Sequence, residues 1–372
     1  MRDKDMTMRI LFALPGFHRF ERGAEIALLS LAAELGRAGE EVTVIGSGDA
    51  RAGTPYRFLH AGSVRRERLE KLPRVPALRS DTGWEEATFA PGLLRAYRPA
   101  DHDVTVTCSF PFTNWVLRRP VLGGRRPPHV FVTQNGDWPA ISNDSEFRTF
   151  GCEGLVCTNP DYFERNRDRW RCALIPNGID ATRFTPGAPE RARLGLPEQG
   201  PIVLMVSALI PSKRVEDGVR AVSHMPGAQL VVAGDGPERE AVDKLAGELL
   251  PGRFRRLTVA ATEMPALYRS ADVFLHLSKE ESFGNVYIEA LGCGAPVVGH
   301  DSARLRWIVG DDAVLLDTAD PVAVARALEQ AIASRETLVP RGVARAATFA
   351  WPRVAAQYRA FLTEVIAAGR QA

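Results

Sequence analysis

The sequence predicts an α/β protein built from two doubly wound domains that face each other across a cleft. Three observations predict it. Strand-length apolar runs alternate with helix-length amphipathic segments. The alternation halts at a Pro/Gly-rich run, Thr185 to Pro201, and then resumes. A chain of 372 residues is long enough for two cores.

The first series opens with the buried-strand run Arg9 to Leu14, a loop holding Gly16 and Gly23, an apolar-striped helix from Ala24 to Arg37, and a strand from Glu41 to Ile45. The first turn has no GxGxxG, because its two glycines stand seven apart, so a dinucleotide fingerprint is absent. From His60 to Ser80 six basic residues (Arg65, Arg66, Arg68, Lys71, Arg74, Arg79) outnumber Glu67 and Glu70, which reads as a solvated face before a membrane-binding one. Strands follow at Val104 to Thr107, Val130 to Thr133 and Leu155 to Thr158. The turn signal Pro176-Asn177-Gly178 closes the series.

The second series has strands at Ile202 to Val206, Gln229 to Ala233 and Leu257 to Val259, with helices from about Val215 and over Met264 to Arg269. Its centre is a strand from Val273 to Leu277, a loop with Glu281, a helix from about Gly284 to Gly292 containing Glu289, and a strand near Val297. A strand near Val314, a helix capped by Asp320 with Pro321 in its first turn, and a last helix from Trp351-Pro352 complete it. In a parallel sheet the loops gather beyond the strands' carboxyl ends, where free amides at a helix start hold an anion. Two lone glutamates are more often solvated surface acids, so the pair by itself decides nothing.

Composition narrows the classes. Apolar residues make up 45% and charged residues 25%, ordinary for a soluble globular protein. Net charge is +2, too near balance to imply nucleic acid. No apolar run reaches the ~18 residues of a bilayer span, and Met1 to Met8 is charged rather than signal-like, so a cytoplasmic protein is expected. The five cysteines include no CxxC pair and the seven histidines do not cluster, so reduced structural thiols and no metal site are expected.

Several segments together resemble glycosyltransferase family 4, retaining enzymes with two facing Rossmann-like domains (the GT-B architecture). They are Ile175-Pro-Asn-Gly-Ile-Asp180 with Arg183-Phe184, Pro211-Ser-Lys-Arg214, Gly234-Asp-Gly-Pro237, and Glu281-Ser-Phe-Gly with Glu289-Ala-Leu-Gly-Cys-Gly-Ala-Pro-Val-Val. The last matches the family's E-x7-E signature. The resemblance implies an acceptor-binding domain over 1–178, joined by the C-terminal helix 352–372, and a donor-binding domain over 179–351. It implies that Glu281 holds donor-sugar hydroxyls, that Ser282, Phe283, Gly284 and Asn285 line the sugar and phosphate pocket, and that Glu289 holds the ribose. Lys213 matches the phosphate-binding lysine, and Gly16 and Gly23 match first-loop glycines that approach the diphosphate.

Two positions depart from the pattern. The family's Arg five places before the lysine is Ala208 here, with Arg214 as the expected substitute. The family's His after the strand near 130 is Asn135, and an amide takes up no proton near neutral pH, so no general base is assigned there. His18, Asn135 and Asp137 are the acceptor-side candidates. Arg304 and Arg306 follow a strand end, where an approach to phosphate is one reading and an exposed helix face the favoured one.

The expected function is retaining transfer of a sugar from a nucleoside-diphosphate donor, UDP or GDP, to a hydroxyl of a glycan, lipid or small metabolite. No further cofactor, metal or nucleic-acid partner is expected, and peripheral membrane contact is not favoured. The alternatives are a non-catalytic nucleotide-sugar-binding partner and a nucleotide-sugar hydrolase or epimerase of the same architecture.

Overall fold

The structure, a computed structural model, describes residues 7–65, 68, 69, 73, 75, 78, 81–122, 124–144 and 147–371. Arg66, Glu67, Glu70, Lys71, Arg74 and Arg79 of the basic segment lie outside the described residues, whereas Arg65 and Arg68 are exposed. The chain forms two compact units, residues 1–178 with 351–372 and residues 179–350.

In the first unit, β1 (Arg9–Ala13), β2 (Glu41–Gly46), β3 (Arg57–His60), β4 (Val104–Thr107), β5 (His129–Val132), β6 (Gly154–Cys157) and β7 (Cys172–Leu174) form a parallel sheet in the order β3-β2-β1-β4-β5-β6-β7. Its helices are α1 (Gly23–Arg37), α2 (Asp81–Ala96), α3 (Phe112–Leu117), α4 (Trp138–Ile141) and α5 (Pro160–Asn166). The central strands β4, β5 and β6 are buried along their whole length; β5 and β6 are mainly apolar, and the threonines that alternate with valine in β4 are hydrogen-bonded, Thr107 to the Ala13 carbonyl and Thr105 to His129.

In the second unit, β8 (Ile202–Val206), β9 (Gln229–Ala233), β10 (Phe254–Leu257), β11 (Val273–His276), β12 (Val297–His300) and β13 (Val314–Leu316) form a parallel sheet in the order β10-β9-β8-β11-β12-β13. Its helices are α6 (Val215–Ser223), α7 (Arg239–Leu249), α8 (Met264–Arg269), α9 (Asn285–Gly292), α10 (Ala303–Val309), α11 (Pro321–Ala333) and α12 (Arg335–Ala347). The strand expected at Leu257 to Val259 starts instead at Phe254. Phe254-Arg-Arg-Leu pairs with β9 as the outer strand, where arginines suit an edge, while Val259 packs on the core from the following loop.

Both sheets reverse their strand order once, between β1 and β4 and between β8 and β11. Loops leaving the two strands at such a point diverge and open a crevice at the carboxyl edge.

The last helix, α13 (Trp351–Gln371), belongs to the first unit. Its Val354, Tyr358, Phe361, Leu362 and Val365 recur every three or four residues and are buried with Leu31 and Leu35 of α1 in one core. Each such side chain contributes ~1.5–3 kcal/mol by leaving water. Among the described residues no helix is long and apolar enough to cross a membrane.

Candidate functional site

The second unit's crevice follows from strand adjacency. Because β8 and β11 pair directly, the turn after β8 (Pro211–Lys213) and the loop after β11 leave the sheet side by side. Lys213 Nζ forms an ion pair with Glu281 Oε1, and His276 Nε2 lies 2.8 Å from the same oxygen. Both donors use Oε1; among the described residues nothing donates to Oε2, and the side chain is 19% exposed. Burial alone would raise this carboxyl, but the hydrogen bond and charge of His276 and the charge of Lys213 hold it at about 2. Glu281 is therefore a carboxylate with one oxygen anchored and the other presented.

His276 ends β11 with its ring 2% exposed, stacked on Phe274 and edge-on to Tyr287 at 5.1 Å. Its Nδ1 is buried without a partner among the described residues.

The helix start beside Glu281 has specific local causes. Gly284 caps α9 at φ 90°, and a Cβ there would lie 2.7 Å from the Tyr287 ring, so the turn requires glycine. Phe283 is buried against Trp307 and Phe349, so its side chain anchors the loop and leaves only its backbone amide for a ligand. Ser282 and Asn285 are half-buried on either side. The first-turn amides and positive dipole end of α9 suit a phosphate. One turn on, Glu289 accepts from Tyr268 Oη at 2.9 Å, and burial raises its carboxyl above the usual range.

Several expected site residues have other occupations. Arg214 was expected to replace the charge missing at Ala208, but its guanidinium is tied to Asp217 Oδ2 (2.8 Å), Thr318 Oγ1 (2.7 Å), Thr318 O (2.8 Å) and Leu277 O (3.2 Å). It fastens the start of α6 to the strand ends and is not aimed at the crevice. His18 stacks on Phe58 at 4.1 Å, and its ring nitrogens are 2.8 Å from Asp49 O and from Tyr56 Oη, so both polar atoms are already used. Asp137 is 3% exposed and takes Arg165 at 2.8 and 3.1 Å and Asn166 at 2.9 Å, which makes it a clamp for α4 and α5. Of the three acceptor-side candidates only Asn135 stays exposed, its amide reaching Cys108 Sγ at 4.0 Å.

Gly23 begins α1 in open space, but a Cβ on Gly16 would fall 2.0 Å from Glu25 Oε1. The close approach that Gly16 permits is made here by the Glu25 carboxylate. Arg304, expected on an exposed face, is half-buried, and its Nη1 donates to the Glu281 carbonyl. Arg306 does face solvent, bidentate to Asp301 at 2.6 Å.

The first unit's crevice gathers acids. Glu25, Glu85 and Glu86 are 4%, 2% and 2% exposed, too buried to be ordinary surface carboxylates. Arg22 pairs with Glu25 at 3.5 Å and Glu85 at 3.3 Å. Burial pushes the Glu86 carboxyl up to about 7, against hydrogen bonds from Ser109 and the Thr113 amide.

Sequence reasoning missed His276, Tyr268 and these acids, and it favoured an exposed face for Arg304. A signal existed for His276, the one ionisable ring in an apolar strand run, five residues before Glu281. The acids gave none, because Glu85 and Glu86 lie in α2, whose internal Pro91 and Gly92 hide its helical period.

A family model described as "Glycosyltransferase Family 4" matches residues 22–183, and one described as "Glycosyl transferases group 1" matches residues 188–341. A lipopolysaccharide core biosynthesis glycosyltransferase, LpsE, of Rhizobium meliloti is 33% identical over 220 residues, 57% of this chain and 63% of that protein. A D-inositol 3-phosphate glycosyltransferase of Salinispora tropica is 34% identical over 214 residues, 50% of this chain and 44% of that protein. The chain thus spans about half the length of the curated relatives it matches. Among solved structures, sucrose-phosphate synthase from Thermosynechococcus elongatus superposes with a TM-score of 0.76 at 22% identity, covering 96% of this chain and 99% of that one. Anabaena Alr3699/HepE in complex with UDP-glucose gives 0.71 at 18% identity, covering 96% and 100%. At such identities the structural likeness is one of fold.

Proposed function

We propose, from the premise that this chain belongs to glycosyltransferase family 4, that it transfers a sugar from a nucleoside-diphosphate donor to an acceptor hydroxyl with retention at the anomeric carbon. The observation that carries this reading is Glu281, ionised and held through one oxygen by Lys213 and His276 beside the amide-bearing start of α9.

The chemistry follows from charge. Glu281 Oε2 accepts from donor-sugar hydroxyls, and Glu289, steadied by Tyr268, accepts from the ribose. The diphosphate gains negative charge as the glycosidic bond breaks, so Lys213 and the α9 amides stabilise the transition state more than the ground state. Holding the donor at three points orders it before reaction. The departing phosphate oxygen takes the acceptor's proton on the same face, which gives retention and leaves no task for a base at Asn135. UDP is the favoured nucleotide, supported by the UDP-glucose bound to a protein of this fold, with GDP second. A nucleotide-sugar hydrolase uses the same donor contacts, and product analysis separates the two.

Melting with UDP, GDP, ADP and dTDP tests the donor step: at 100 times its dissociation constant the true nucleotide adds ~2.7 kcal/mol, and no shift with any of them removes the reading. With the best nucleotide's sugars, Glu281→Gln is expected to lower transfer about a hundredfold or more, with melting in nucleoside unchanged. Full transfer by that variant would take Glu281 out of the site.

A further inference from the structure

Among the described residues, Trp138 is the only exposed Phe, Tyr or Trp, with 47% of its surface open. Single exposed apolar side chains are common and need no role. This one differs because its ring is held. The indole Nε1 donates to the Asn135 carbonyl at 3.1 Å. The ring stands at 81° to Phe147 with centroids 4.8 Å apart. Gly136, at φ 108°, makes room for it, since a Cβ there would lie 2.7 Å from Trp138 Cδ1. Beneath it, buried Pro139 and Ala140 and the tie from Asp137 to Arg165 and Asn166 fix α4. A large aromatic surface is thus presented to solvent in one orientation.

Its place is the rim of the first crevice. Trp138 opens α4 directly after the loop leaving β5, at the carboxyl edge of the sheet. Asn135, in that loop, carries the ring on its carbonyl and sends its amide to Cys108 Sγ just beyond β4. Burial and then the charges of Glu25 and Glu86 raise the Cys108 thiol, so the same cysteine stands near the crevice acids.

Resting on the transfer reading, we propose that Trp138 is the platform for the acceptor, and that the acceptor presents a pyranose ring whose C–H face stacks on the exposed indole. A pyranose carries hydroxyls around its rim and C–H groups on its faces, so it is matched by a flat apolar surface with hydrogen-bonding groups at the edge. The chain on both sides of Trp138 supplies that edge: Asn135 before it and Asn143 after it are exposed amides, with Ser142 half-buried between Asn143 and the helix. Polar neighbours of this kind suit hydroxyls and not an acyl chain. A ring already fixed loses little rotamer freedom when a ligand covers it.

The ring itself reports the contact. The full chain is grown with 5-fluorotryptophan, and of the six tryptophans the fluorine resonance lost in both Trp138→Phe and Trp138→Leu is that of Trp138. Methyl glycosides of glucose, galactose, mannose and N-acetylglucosamine are titrated with UDP bound (GDP if it binds tighter), and phosphatidylglycerol vesicles are added separately. The Trp138 resonance is expected to move and saturate with at least one glycoside and to stay in place with vesicles. By saturation-transfer titration that glycoside should bind about tenfold more weakly to Trp138→Leu, which keeps apolar bulk without the flat face, and about threefold more weakly to Trp138→Phe. Nucleotide affinity is the same in all three proteins. A resonance that no glycoside moves overturns the proposal, as does full glycoside affinity in Trp138→Leu. Nucleotide affinity lost in step with glycoside affinity overturns it by marking a structural role, and movement with vesicles overturns it in favour of a membrane surface. Wild-type protein that binds neither UDP nor GDP overturns the transfer reading itself, a result distinct from these.

Discussion

Where the second sheet reverses its order, between β8 and β11, Lys213 and His276 hold the Glu281 carboxylate and Arg304 its carbonyl, beside the start of α9. At the corresponding reversal of the first sheet, between β1 and β4, the chain packs the Glu25 carboxylate against Gly16 and buries Glu85 and Glu86 beside it, with Arg22 paired to two of the three acids. The two crevices share a topology and differ in lining: Lys213 and Arg304 meet Glu281 in the second, whereas three buried acids stand beside Arg22 in the first. Sheet order thus sets where a ligand sits, whereas the side chains on the flanking loops set which ligand charge is tolerated.

The contrast is broken most decisively through Glu86. Its carboxyl, at about 7 in the folded chain against an ordinary 4.5, favours the protonated form. Folding is unpenalised below pH 4.5 and loses stability as pH rises to 7, levelling above that at ~3 kcal/mol. Glu86→Gln should match wild type near pH 4.5 and exceed it at pH 8 by an amount approaching that figure, read by denaturant melts. Parallel pH profiles for the two proteins would show that Glu86 is not the buried acid that sets the first crevice apart.

A smaller effect is expected at His276. Its hydrogen bond and charge help pull Glu281 down, so His276→Leu raises that carboxyl and moves the acid limb of transfer to higher pH; Lys213, Tyr287 and Arg304 are the other polar or charged groups facing it. Donor kcat/KM should fall about tenfold with uridine affinity intact, and His276→Gln should restore part of it by returning a donor. An unmoved acid limb would reduce His276 to packing.

The smallest effect separates the nucleoside end from the phosphate end. Tyr268→Phe leaves Glu289 without its donor, and UDP and uridine should weaken alike, about fivefold. Loss confined to UDP would contradict the ribose role of Glu289.

Much of the fold was legible because buried parallel strands are unbroken apolar runs, as in Ile202–Val206 and Val273–His276. What was hidden had weak periodicity: β7 is three residues long, and α2 and α12 carry Pro91 and Pro340 in their interiors. The donor site was legible where spacing carries it. Glu281 and Glu289 lie on one loop and helix, so their relation is local, and Lys213 precedes a helix that follows a recognisable strand.

By itself, then, the sequence determined two βα series, the glycine at 284 that α9 must have, and the two acids that flank that helix's start. Only the tertiary structure decided which cations meet them. Arg214 and Arg304 are equally arginine in the sequence, but Asp217, Thr318 and Leu277 draw one guanidinium onto strand ends, while the adjacency of β11 and β12 carries the other onto the Glu281 carbonyl. Likewise only the folded chain shows that the Glu25 carboxylate lies against Gly16 of the first loop. Long-range pairing of this kind depends on which strands become neighbours, a choice made by the whole sheet at once and written in no single stretch of chain.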